Sequence, residues 1–116
     1  MSDNGVVESS SISRFLYSHF PQDESALVRE LFSVMANLAS KAGSPDAALA
    51  IIAEITRTTG WATGPPNPTD VEIRSYVLQT EGVLEGRGLS DLDPEKHFAA
   101  ILLSGKLLSI TQEKGG

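Results

Sequence analysis

Two histidines, His19 and His97, are the side chains best suited to acid–base chemistry in a chain that contains no cysteine. A catalytic imidazole works with a nucleophile and an orienting carboxylate held beside it in the fold. Serines and carboxylates are plentiful here, so chance neighbours are expected, and no fixed spacing ties either histidine to a set. His19 falls on the apolar stripe of one helical pattern and His97 in the first turn of another. A packing or surface role is the expectation for each. The alternative is a site assembled from scattered residues: His19, His97, nearby carboxylates and Tyr76. Without cysteine there are no disulfides, thiolate nucleophiles or sulfur-based zinc sites.

Other short patterns fail their own chemical tests. Asp91-Leu92-Asp93-Pro94-Glu95 resembles the start of a calcium loop, but that loop needs Gly at its sixth position and a bidentate Glu at its twelfth. Those places hold Lys96 and Leu102. Helix capping by Asp93, with Glu95 near the positive helix end, accounts for the same residues. Leu89-Ser90-Asp91-Leu92 is similar in composition to the Asp-Ser-Leu site of acyl carrier proteins, but its order is Ser-Asp-Leu, so no prosthetic arm is read from it. Gly60–Gly64 and Gly86-Arg87-Gly88 lack the Lys-Ser/Thr pair and the leading strand of a phosphate loop. The Gly115-Gly116 end resembles a ubiquitin-like tail only in those two residues. No catalytic residue, metal ligand or cofactor is assigned.

Residues suited to binding are easier to name. Trp61, the single tryptophan, stands in a Gly/Pro segment rather than on a helical stripe. It is read first as a lid folded over the core and second as an anchor for a partner. The last helical pattern is apolar on two sides: Phe98, Ile101, Leu102, Gly105 and Leu108 on one, Ala99, Leu103, Leu107 and Ile110 on another. Such a helix is either central in its bundle or covered by a second chain. Trp61, Leu103, Leu107 and Ile110 are therefore the candidate binding residues. Gly105 is read as permitting a close backbone approach.

The elements that must position these groups follow from a period near 3.6. One of Ser9, Ser10 or Ser11 caps a first helix carrying Ile12, Phe15, Leu16, His19 and Phe20, which Pro21 interrupts. Asp23 or Ser25 caps a second, with the stripe Val28, Leu31, Met35, Leu38 and Ala42, flanked by Leu27, Phe32, Val34 and Ala39. Gly43 ends it. Ser44-Pro45 opens a third at once, with Ala48, Ile51, Ile52, Ile55 and Thr59 inside, Leu49 beside them, and Gly60 at its end. So short a connection makes the second and third helices an antiparallel hairpin over about 24–60. The segment 60–68 is expected to be non-helical, because of its three prolines. Thr69-Asp70-Val71-Glu72 reads as a capping box for a helix carrying Ile73, Tyr76, Val77, Thr80 and Leu84. Gly82 leaves its end open between Glu81 and Glu85. Asp93-Pro94 starts the last helix.

The expected fold is therefore all-α, a compact bundle of four to five helices. Residues 1–8 are expected to be a flexible tail, 9–113 a single helical domain and 114–116 a flexible end. The 116-residue chain carries a formal charge of -6, and its nine Lys and Arg fall singly, which argues against a nucleic-acid partner. No apolar run reaches the roughly 20 residues of a membrane span, and no signal peptide is read at the start. The function these features suggest is a small acidic protein-interaction module in the cytoplasm: a regulator, adaptor or inhibitor that binds a protein partner. The alternatives are a self-assembling subunit (a homo-oligomer) and an enzyme or small-ligand binder with a scattered site. The residues weigh against an enzyme.

Overall fold

The helices after the first begin at residues whose side chains cap them. The computed structural model describes residues 11–65 and 67–115, with side chains described as far as residue 105. Among the described residues five α-helices follow one another: α1 (Ser11–His19), α2 (Glu24–Ala42), α3 (Pro45–Thr59), α4 (Asp70–Gly86) and α5 (Pro94–Gly115). Among the described residues there is no strand. Asp23 caps α2, its Oδ2 accepting from the Ala26 amide at 2.9 Å. Ser44 caps α3 through the Ala47 amide at 3.1 Å, with Pro45 behind it. The Thr69–Glu72 box is complete: the Glu72 amide donates to Thr69 Oγ1 at 3.2 Å and the Thr69 amide donates to Glu72 Oε1 at 2.8 Å. Asp93 Oδ1 accepts from the Glu95 amide at 3.0 Å, opening α5. Candidate caps Ser9 and Ser10 lie outside the described residues, as do residues 1–8.

The ends obey equally local rules. Gly43 takes a φ of 107° and Gly60 a φ of 68°, values that disfavour any residue with a Cβ. One expectation needs correcting, and one open alternative is decided. The segment after Gly60 is not wholly irregular: Trp61–Thr63 form one 3-10 turn, with the Gly64 amide donating to the Trp61 carbonyl at 3.2 Å. The turn fits because the first proline comes only at position 65. In addition, α4 passes through Gly82 without a break and ends at Gly86.

One core holds the five helices together. Leu16 and Phe20 enter it from the first segment, Leu27, Val34 and Leu38 from α2, Ala48, Ile51 and Ile55 from α3, Val83 and Leu84 from α4. In α2 the most buried positions, Leu27, Val34 and Leu38, lie roughly 60° round the helix from the centre of the stripe read from the sequence. Val28, Leu31 and Met35 pack at its edge, half-buried, while Phe32 is 71% exposed. In α3, Leu49 likewise points outward.

Of the two placements open for α5, the described part takes the central one. Every residue from His97 to Leu103 is buried, and α5 touches α1, α2 and α4. Phe98 is fully buried and lies between two rings, Phe15 at 6.1 Å and Tyr76 at 5.6 Å between centroids. The two apolar sides of this helix are thus satisfied within the chain as far as Leu103.

Candidate functional site

The binding residues read from the sequence separate in the structure. Leu103 is buried in the core, and the side chains of Leu107 and Ile110 lie outside the described residues. Trp61 is partly buried and packs against the core, the arrangement of a lid. A Cβ added at Gly105 would fall 2.7 Å from Trp61 Cη2. Gly105 therefore does serve a close approach, but of an indole ring rather than the backbone expected. The indole Nε1 is buried without a hydrogen-bond partner.

The histidines occupy unlike places. His19 stacks edge-on against Phe15, 5.1 Å between centroids, and its Nε2 lies 3.3 Å from Glu95 Oε1. His97 is buried. Its Nδ1 is 2.8 Å from the Asp93 carbonyl oxygen, a spacing that assigns the proton to Nδ1. Its Nε2 is enclosed and has no partner. Neither histidine is joined to the other or to a serine by a contact described in the structure. Among the described residues no group of three His, Asp or Glu is arranged to hold a metal ion.

What packing does create is a groove of about 560 Å³ where α1, α4 and the first turn of α5 meet. This falls within the size range of sites that take a side chain or small ligand. Phe15, Ile73, Val77 and Leu78 form its apolar wall. Ser11, Arg14, Asp70, Arg74 and Glu95 supply the polar rim. Each arrives by helical geometry: Asp70, Arg74, Val77 and Leu78 share one side of α4, while Ser11, Arg14 and Phe15 share one side of α1. Arg14 is held by Asp70, Nη2 to Oδ2 at 3.4 Å, and also donates to Ser11 Oγ at 3.3 Å. That pair fixes one end of the groove. Glu95, turned toward His19, marks the α5 side.

The apolar wall continues through Leu78 onto the outer surface of α4, which is exposed among the described residues. Val71 is 77% exposed and Leu78 59%, and Arg74 stands between them in sequence, on the same side of the helix. A single exposed apolar residue is ordinary on a protein surface, but two of them beside an apolar groove form a patch. Sequence reasoning passed over this site. The signal was present: Val71 and Leu78 are seven residues apart on the polar side of α4, where solvation alone asks for neither.

Elsewhere the surface carries isolated ion pairs. Arg87 joins α4 to Glu54 of α3 at 2.6 Å, and Lys96 joins α5 to Glu30 of α2 at 3.3 Å. Lys41 reaches Asp91 at 3.1 Å, and this lysine hydrogen bond holds the Asp91 carboxyl below its ordinary value of 3.8, helped by a backbone hydrogen bond and by the lysine charge. Exposed pairs of this kind add little stability each. None of the described helices is long and apolar enough to cross a membrane. Comparison with family models, with curated proteins and with solved structures finds no match to this chain.

Proposed function

We propose that the chain is a helical protein-interaction module that works through the α1–α4 groove and the adjoining outer face of α4. Its ligand on this reading is a helix of a protein partner. That helix presents a short apolar ridge to Val71 and Leu78, and carboxylates to the arginine side of the groove. The observation that carries the proposal is the pairing of exposed Val71 and Leu78 with a groove whose wall is apolar and whose rim includes Arg14 and Arg74. Covering an apolar side chain of this size is worth about 1.5–3 kcal/mol when burial is complete, so two such residues suit a reversible contact rather than a permanent one. A cytoplasmic setting belongs to the same proposal, and a cysteine-free sequence is compatible with it.

The test compares two equally mild surface changes. Immobilised wild-type chain, Leu78→Asp and Leu49→Asp are each used to capture binding proteins from native lysate. Leu49 is exposed on α3, away from the groove. Capture lost with Leu78→Asp and kept with Leu49→Asp supports the site. Capture indifferent to Leu78→Asp removes it.

A further inference from the structure

The outer face of α4 has an internal pattern that narrows what covers it. Val71, Ser75, Leu78, Gly82 and Glu85 follow one another at alternating spacings of four and three, and all five are exposed. That spacing places them on one face of the helix, with Val71 and Leu78 as an apolar ridge and the small residues Ser75 and Gly82 beside it. Arg74 and Glu81 flank that face on one side, the side that faces the groove. Gly82 is otherwise without a purpose: its φ is not in the left-handed region, and an added Cβ would meet nothing within 4 Å. A helix-interior glycine weakens the helix, so the chain's own packing gives no reason for it. A second helix lying close across that point does.

We propose that the helix received here is α4 of a second copy of this chain, packed antiparallel about a two-fold axis at Leu78. The inference rests on reading the groove and the α4 face as a docking surface. A two-fold interface places the same patch on both sides, so it must be complementary to itself, and the charges on this one are. In an antiparallel pair, side chains on the same flank of the two helices meet. With Leu78 opposite Leu78, Arg74 lies about 6 Å along the axis from the centre, and the partner's Glu81 lies about 4.5 Å along on the same side, within reach of its guanidinium. Each copy thus offers Arg74 where the other offers Glu81. Gly82 meets the partner near Ser75, and two small residues there let the backbones approach. Had the flank carried charges of one sign, a second copy would be repelled.

The experiment uses the purified full chain alone. Sedimentation equilibrium from about 10 µM to about 1 mM covers the weak end of specific association. The wild type is expected to interconvert between monomer and dimer across that range. Leu78→Asp is expected to weaken dimerisation at least about tenfold. Arg74→Glu alone and Glu81→Lys alone each place like charges opposite one another and weaken it similarly. An equimolar mixture of those two variants restores opposite charges at both contacts, and a heterodimer returns. Circular dichroism confirms that each variant stays helical. A wild type that remains monomeric throughout, a Leu78→Asp that dimerises as the wild type does, or a mixture that stays monomeric each overturns the proposal. If the wild type is monomeric while lysate capture is still lost with Leu78→Asp, the second copy is wrong and the docking surface stands. If capture ignores Leu78→Asp as well, both fall.

Discussion

Trp61 lies over Gly105, so closely that a Cβ on that glycine would stand 2.7 Å from the ring carbon Cη2. The contact joins the turn after α3 to the middle of α5, across 44 residues of sequence. Replacing Gly105 by Ala brings two opposed effects. Alanine improves helix propensity by about 1 kcal/mol, while forcing a bulky ring out of its place costs typically about 1–3 kcal/mol. We expect Gly105→Ala to lower stability by about 1 kcal/mol net and to shift Trp61 fluorescence. In a Trp61→Leu background, where the ring is gone, the same substitution should stabilise. Urea unfolding of the four chains checks the change of sign.

Leu102 sits in the buried run of α5, 4% exposed. Cutting it to Ala removes buried methyl groups and leaves a void that rigid neighbours close only in part. Leu102→Ala should cost about 2–5 kcal/mol, read as a clear drop in the thermal midpoint. An unchanged midpoint would remove α5 from the centre of the bundle.

Gly82 has the opposite expectation. With ordinary helical backbone and open space around its Cα, Gly82→Ala should raise the unfolding free energy of the dilute chain by about 0.5–1 kcal/mol, through helix propensity and a less flexible unfolded state. Chemical denaturation at low micromolar concentration isolates this effect from any association. A loss of stability there would mean that the glycine has a role within its own chain.

Asp91 gives a pH dependence whose sign is fixed. Its carboxyl is held below the ordinary value, chiefly by the hydrogen bond from Lys41. A carboxyl lowered on folding contributes stability at pH values above its unfolded pKa, and that contribution disappears as pH falls through the lower folded value. Carbon-detected NMR titration should therefore show Asp91 protonating below the usual carboxylate range, with Lys41→Met returning it toward that range. Because the pair is exposed, the stability involved is small. An Asp91 titration unmoved by Lys41→Met would assign the shift to the backbone instead.

The helix boundaries were legible because their causes are local. Asp23, Ser44, the Thr69–Glu72 box and Asp93 each satisfy amides within three residues of themselves, so a short stretch of sequence contains the whole interaction. The direction each helix faces was less legible. In α2 the period is correct, but the core meets it on the Leu27–Val34 side and leaves Phe32 outside, because a wide apolar stripe does not say which of its edges the neighbours will take. The groove was not legible at all. Its end is set by Arg14 and Asp70, 56 positions apart, and nothing near either residue indicates the other. Trp61 lay between: its place in a Gly/Pro segment marked it as unusual, and only the packing of α5 decided what it rests on.

The order in which the chain emerges during synthesis gives the buried run His97–Leu103 a further meaning. Helices α1 to α4 are complete before any of those residues exists, yet they enclose a space that only α5 fills. Without those residues the place of Phe98 between Phe15 and Tyr76 is empty, and the apolar side chains around it lose their cover. The contacts of α3 with α2 and with α4 do not involve α5, so those helices can pair before it, whereas the core around Phe98 closes only when α5 is in place.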